Sequence, residues 1–291
     1  MTTRIAFVGL GTMGYPMAGH LKKSGRDVTV YNRTVERAQQ WVEQYGGEYR
    51  ETPREAAEDA DLVFSCVGND DDVREVAYGS DGVIIGLKPG AIYVDHTTTS
   101  ADLAHELSEQ VLEAGSHFLD APLSGGQLGA ETGQLTIMVG GDGPVFQKAK
   151  PVLEIYARCL KLIGGVGSGQ LCKMVNQICI AGLIESLAEG IFFAKKQELD
   201  IEKVMEVISQ GAAQSWQLDN RHKTMINGEY NFGFAVDWML KDLNIVKDES
   251  NKLGITLPAV ELVYQFYEEL REMGGGRWDT SSLLSRFEKD F

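Results

Sequence analysis

Gly164-Gly165-Val166-Gly167-Ser168-Gly169 runs directly into Gln170-Leu171-Cys172-Lys173-Met174-Val175-Asn176-Gln177, and then into a long apolar passage that ends in Phe192-Phe193-Ala194-Lys195-Lys196. Upstream of this stretch the chain alternates strand-like and helix-like segments. Downstream it reads as helix. The stretch therefore predicts a glycine turn and a long helix joining two domains, 1–163 and 164–291. Lys173 falls on the first turns of that helix, at its wet end. Asn176 and Gln177 follow at i+3 and i+4, on the same face. Chemistry is expected at that face, in the crevice between the domains.

The upstream alternation begins with Arg4-Ile5-Ala6-Phe7-Val8, a continuous apolar run of the kind a buried parallel strand shows. Gly9-Leu10-Gly11-Thr12-Met13-Gly14 follows. A helical pattern comes next, with Pro16 in its first turn, Met17 and Leu21 at helical spacing and Gly25 as its stop. Val28-Thr29-Val30-Tyr31 is the second strand. Strand, G-x-G-x-x-G, helix and strand in this order predict a dinucleotide-binding fold, against the plainer alternative of a tight turn. The glycines let the backbone approach a pyrophosphate, and the helix N-terminus presents free N–H groups and a positive dipole end.

The end of the second strand chooses the nucleotide. NAD sites place Asp or Glu there to hold the ribose hydroxyls. This chain has Asn32-Arg33-Thr34. A neutral Asn removes the repulsion of a 2′-phosphate, Arg33 can pair with that phosphate, and Thr34 adds a hydroxyl. NADP is favoured, with NAD possible; the alternative is a solvated Arg33 and no preference.

Further strand ends should line the same site. Asp61 to Val67 reads as a buried strand, which places Val67 and Gly68 beside the nucleotide. Asn69-Asp70-Asp71-Asp72 lacks the spaced ligands of a calcium loop and reads as a helix start. Ala91 to Asp95 is another strand, followed by His96-Thr97-Thr98-Thr99-Ser100 and a helix from Ala101. Thr98 is a candidate contact on the nicotinamide side, because ligands of open α/β sheets bind outside the carboxyl ends of strands. Simple helix capping is the alternative. His96 and His105 have no carboxylate pattern beside them and read as structural or exposed. Ser124-Gly125-Gly126 offers a hydroxyl and consecutive N–H groups suited to a carboxylate, or else is a sharp sheet corner.

Composition narrows the class. The chain has 291 residues, 43% of them apolar, and a net charge of −15. That charge argues against a general nucleic-acid or anionic-membrane surface, while a local basic site for a small anion remains open. Cys66, Cys159, Cys172 and Cys179 form no C-x-x-C pair and read as buried, reduced thiols. No metal site is expected. The apolar passage after Lys173 reaches Glu185 before a charge, short of a membrane span of about 20 residues. A cytoplasmic protein is expected.

With these motifs in hand, the chain resembles the β-hydroxyacid dehydrogenases over nearly its whole length. This group contains 3-hydroxyisobutyrate dehydrogenase, tartronate semialdehyde reductase and glyoxylate/succinic semialdehyde reductase. The carriers are Gly9 to Ala18, Asp120-Ala121-Pro122-Leu123-Ser124-Gly125-Gly126, Gly167 to Gln177, and Lys241-Asp242-Leu243. The resemblance implies a Rossmann-type α/β N-terminal domain and an all-α C-terminal domain. It implies that Lys173 is the catalytic lysine, and that Ser124, Gly125 and Gly126 hold the substrate carboxylate. Thr98, Phe234, Lys241 and Asp242 match positions near the nicotinamide and the closing side of the site. Several members carry Asn four residues after the lysine. Here Asn176 is at i+3 and Gln177 at i+4, so either amide could orient the substrate.

The expected reaction interconverts a small aldehyde acid and its hydroxy acid. Lys173 as ammonium donates to the forming alkoxide, and as neutral amine accepts in reverse. A free lysine titrates near 10.4, and burial or a cationic neighbour would bring it toward the working range. A homodimer or homotetramer is expected from the long helical half and the family habit. Three readings compete. A 6-phosphogluconate dehydrogenase would be expected to have a much longer helical domain than this chain supplies. An imine reductase shares the architecture but usually lacks a lysine at this helix position. A cofactor-binding scaffold without turnover would be expected to have replaced it.

Overall fold

The computed structural model describes residues 3–288. The chain divides into two compact units, Met1–Lys173 and Met174–Phe291. The first is built from β1 (Arg4–Val8), α1 (Gly14–Lys23), β2 (Asp27–Tyr31), α2 (Val35–Tyr45), β3 (Glu48–Tyr49), α3 (Pro53–Ala57), β4 (Leu62–Ser65), α4 (Asp70–Ala77), α5 (Val83–Gly86) and β5 (Ile92–Asp95). It continues through α6 (Ala101–Glu113), β6 (His117–Asp120), β7 (Leu123–Ser124), α7 (Gly126–Thr132), β8 (Leu135–Gly141), α8 (Gly143–Leu153) and β9 (Ala157–Gly164).

Among the described residues these strands form one sheet in the order β3-β2-β1-β4-β5-β6-β8-β7, with β9 beside β8. From β3 to β6 all neighbours are parallel. The pairs β6–β8 and β7–β8 are antiparallel. The 3-2-1-4-5-6 order of the first six strands is that of a Rossmann fold, and the strand order reverses between β1 and β4. Every residue of β4 and β5 is buried, which accounts for the apolar runs 62–64 and 92–94 ahead of Ser65 and Asp95. One core layer gathers Phe7, Leu21, Trp41 and Phe64 on one face of the sheet, and a second gathers Val8, Val63, Tyr93 and Leu107.

The long helix α9 runs Ser168–Lys196, and the division between the units falls inside it. Its length and composition suffice for a membrane span, so the estimate from the charge-free passage alone was too strict. Within the helical unit, however, its Met174, Ala181, Ile184, Leu187, Ala188 and Ile191 belong to the core, together with Met239, Leu243, Val263 and Tyr267. The remaining helices are α10 (Ile201–Ile208), α11 (Trp216–Ile226), α12 (Val236–Leu253) and α13 (Pro258–Leu270). Beyond α13 the chain makes a π turn, Arg271–Gly275, broken by Gly274 at φ 86°, and a last 3₁₀ helix, Thr280–Glu288.

The cysteines depart from expectation. All four are free thiols, but none is buried: Cys159 and Cys179 are exposed, Cys66 and Cys172 half-buried. Cys159 lies on β9, in which no residue is buried, and Cys179 lies on an outward face of α9. Among the described residues no group of His, Cys, Asp or Glu is placed to hold a metal ion.

Candidate active site

The glycine loop between β1 and α1 depends on missing side chains. Gly9 sits at φ 95°, and a Cβ there would collide with the Cys66 carbonyl; a Cβ at Gly14 would collide with the Gly9 carbonyl. These two glycines close the turn. Gly11 is different, because a Cβ there would meet nothing within 4 Å. It faces open space next to the start of α1, where Met13 provides no side-chain cap and the first turn holds no acid. Uncapped N–H groups beside open space at Gly11 fit an anionic pyrophosphate. Leu10 is buried and Thr12 exposed in the same loop.

The residues after β2 act on this loop before any ligand arrives. Asn32 Oδ1 accepts from Leu10 N at 2.9 Å, and Asn32 Nδ2 donates to the Thr34 carbonyl at 2.9 Å. Asn32 is thus a bracket for the glycine loop as well as a neutral residue at the strand end. Arg33 is exposed and paired with Glu75 at 3.2 Å and Asp72 at 3.6 Å, both on α4. Thr34 is the N-cap residue of α2, extended and without a side-chain cap bond. Arg37, which the sequence reading passed over, donates from Nε to the Leu10 carbonyl at 3.2 Å and stacks on the Tyr15 ring.

β4 ends at Ser65, so Cys66 and Val67 lie in the loop rather than the strand. Val67 N donates to Thr97 Oγ1 at 3.1 Å. Gly68 leads to Asn69, which caps α4 by accepting from Asp72 N at 2.8 Å. The acids of that helix's first turn therefore serve the helix start. Asp95, fully buried at the end of β5, accepts from Ser65 Oγ at 2.6 Å and from Thr97 N at 3.1 Å. Burial lifts its carboxyl to about 6 against those hydrogen bonds. His96 is structural: it contacts the Ala121 carbonyl through Nδ1 and Tyr156 Oη through Nε2, and burial pushes it down to about 4. His105 is exposed.

The start of α9 is tied into these loops by two groups that the sequence reading did not single out. Asp120, at the end of β6, accepts from Gly167 N at 2.8 Å and Gln170 N at 2.9 Å. Burial pushes its carboxyl up, and those N–H groups pull it back. Gln170 donates from Nε2 to the Thr97 carbonyl at 2.8 Å and accepts at Oε1 from Thr99 N at 3.1 Å. Between the two bonded residues lies Thr98, half-buried. Lys173 follows Gln170 by three residues on α9 and is only 6% exposed. It is not at a wet helix end, because the helix begins among packed strand ends rather than in solvent. Asp120 could have been found from the Asp-Ala-Pro-Leu-Ser-Gly-Gly motif, which it opens. Gln170 had no signal beyond its place one turn ahead of the lysine.

Ser124 ends β7 opposite Thr136, and Gly125 and Gly126 follow at φ 129° and 59°, exposed, leading into α7. The chain turns sharply here from strand to helix through two positive-φ glycines, which is the sheet corner. In the helical unit, Asn176 Nδ2 donates to Gln177 Oε1 at 2.8 Å, and Gln177 Nε2 donates to Asp242 Oδ2 at 2.6 Å. Lys241 Nζ lies 2.9 Å from Asp242 Oδ1. Gln177 is buried and Asn176 half-buried. Phe234, half-buried before α12, has its N–H on Asp279 Oδ2 at 2.9 Å.

Residues 4–164 match the family described as the NAD binding domain of 6-phosphogluconate dehydrogenase. Residues 167–287 match the family described as NAD-binding of NADP-dependent 3-hydroxyisobutyrate dehydrogenase. An uncharacterized oxidoreductase of Shewanella frigidimarina is 60% identical, with 98% of each chain covered. The 2-hydroxy-3-oxopropionate reductase of Escherichia coli is 34% identical, covering 98% of this chain and 97% of its own. A solved 3-hydroxyisobutyrate dehydrogenase of Mycobacterium tuberculosis with L-serine superposes with a TM-score of 0.88 at 28% identity, covering 99% of both chains. The strand order, the glycine loop and these full-length matches together show that the chain belongs to the β-hydroxyacid dehydrogenases, a family of NAD(P)-dependent oxidoreductases.

Proposed function

We propose that the protein is an NADP-preferring reductase of small aldehyde acids, with Lys173 as its general acid and base. The observation that carries this reading is the start of α9. A lysine only 6% exposed stands one turn beyond a glutamine bonded to the loop at the end of β5, where a nicotinamide is expected. Bound NADPH supplies the hydride. Lys173, as ammonium, hydrogen-bonds the substrate carbonyl and gives its proton to the oxygen as charge develops there. Ser124 and the N–H groups of Gly125 and Gly126 hold the carboxylate.

The likeness to a 2-hydroxy-3-oxopropionate reductase and to a dehydrogenase solved with L-serine supports a short acid bearing an oxidisable or reducible carbon near its carboxylate. Arg33 supports NADP, since a 2′-phosphate would meet its guanidinium in exchange for the exposed acids it now pairs with.

One panel tests the whole reading. Glyoxylate, succinic semialdehyde, tartronate semialdehyde, methylmalonate semialdehyde, sulfolactaldehyde and a cyclic imine are offered with NADPH and with NADH, to wild type, Lys173→Ala and Arg33→Ala. Lys173→Ala is expected to lose about 10²–10⁴ in kcat while keeping its NADPH affinity. Arg33→Ala should weaken NADPH far more than NADH. Near wild-type turnover by Lys173→Ala, or turnover of the imine alone, would overturn the proposal.

A further inference from the structure

Gln170 is 1% exposed and belongs to none of the groups assigned to substrate or cofactor above. Its carboxamide makes two hydrogen bonds, and both go to the peptide groups flanking one residue. Nε2 reaches the carbonyl of Thr97, in the peptide bond before Thr98, at 2.8 Å. Oε1 takes the N–H of Thr99, in the peptide bond after Thr98, at 3.1 Å. A primary amide is the side chain that can donate and accept in one plane with this spacing. Thr97 is itself held from the other side by Asp95 and Val67, so the loop has little room to shift without breaking buried bonds. The backbone N–H of Gln170 is fixed in turn by Asp120.

We infer that Gln170 is a positioning residue: its amide sets the distance between Thr98, at the end of β5, and Lys173, one turn further along α9. The inference rests on the proposed roles of Thr98 and Lys173. It adds that the reacting geometry is set by a rigid clamp rather than by the two residues alone. Gln170 and Lys173 are three apart on one helix, so they share a face and move together. A displacement of about 1 Å at such a site can cost about a hundredfold in rate without changing what binds.

Two substitutions read this. Gln170→Met keeps the length and apolar volume but removes both bonds. Amide hydrogen exchange at Thr99, measured on the cofactor-free protein, should accelerate. With the best aldehyde acid of the panel, kcat should fall about ten- to a hundredfold, while NADPH affinity from nicotinamide fluorescence stays within about threefold. Gln170→Glu can still accept from Thr99, but an ionised carboxylate would oppose the Thr97 carbonyl. Protonated, it can donate there again. Its kcat relative to wild type should therefore rise as pH falls, which a filler role would not produce. In the Lys173→Ala background, Gln170→Met should cost little further.

Faster Thr99 exchange with unchanged kcat would overturn the inference. So would a loss of kcat that only tracks lost NADPH affinity, or a pH-independent deficit in Gln170→Glu. If Gln170→Met does not fold, the pH profile of Gln170→Glu decides alone. Full activity in Lys173→Ala would instead remove the underlying reading, and Thr99 exchange, which needs no turnover, keeps the two failures apart.

Discussion

In the N-terminal unit the candidate cradle for a pyrophosphate is made of backbone. Gly9 and Gly14 close a turn that admits no Cβ, Gly11 opens onto space, and the amides at the start of α1 carry no cap. In the helical unit the candidate contacts are side chain to side chain, from Asn176 to Gln177 to Asp242 to Lys241. The first kind is broken by adding volume and the second by removing a group. They also leave different traces in a sequence. A backbone cradle writes glycines at fixed spacing, because φ and clearance are local demands. A relay whose central bond joins residues 65 apart writes nothing local.

The largest contrast is expected within the glycine loop itself. Gly14→Ala should destabilise the protein by about 3 kcal/mol, since its Cβ must displace the Gly9 carbonyl. Gly11→Ala should leave the melting temperature unchanged and weaken NADPH binding. Thermal melts alongside cofactor titration separate the two. Loss of stability in Gly11→Ala, or unchanged NADPH affinity, would mean that the open space is not where the pyrophosphate lies.

A smaller effect is expected from the helical relay. Gln177→Leu leaves the buried Asp242 carboxylate without its 2.6 Å donor, at a cost of about 2 kcal/mol. Urea unfolding measures it. A change below about 0.5 kcal/mol would show that Lys241 alone satisfies that carboxylate, and that the relay is not a unit.

The smallest effect concerns a buried acid on α9 itself. Burial raises the Glu185 carboxyl from its ordinary value to about 7, against the pull of Arg286 and with help from Glu189 and Glu269. A raised folded value means that the proton is held more tightly in the folded state. The stability it contributes is complete below the ordinary value near 4.5 and is lost as pH rises through about 7. Relative to Glu185→Gln, wild type should therefore lose stability between pH 4.5 and 8, by no more than about 1 kcal/mol because water reaching the partly solvated carboxyl screens most of the shift, read from melts across that range. Parallel pH curves for the two proteins would show that Arg286 keeps Glu185 charged throughout.

The same contrast explains what could be read in advance. The Rossmann half was legible from Arg4–Val8, the glycine loop and Val28–Tyr31, because strand burial and turn sterics act over a few residues. Lys173 stood out in the sequence because its motif resembles a family pattern. Its burial did not, since the wet helix end expected for it is packed beneath strand ends. The thiols went the other way: the apolar habit of cysteine argued for burial, while Cys159 on an outer strand and Cys179 on a helix face are exposed. The brackets around the site, Asn32 to Leu10, Asp120 to Gly167 and Gln170 to Thr97 and Thr99, were invisible.

By itself, then, the chain's order of residues determined a dinucleotide fold ahead of a helical half, and a lysine early on the helix that continues from one to the other. Those features follow from short-range rules of periodicity, glycine conformation and helix dipoles. Which buried polar groups meet which was decided only when β4, β5 and β6 brought their carboxyl ends to the first turn of α9. A buried donor must find an acceptor wherever the fold supplies one, and that place is a property of three dimensions rather than of neighbours in the chain.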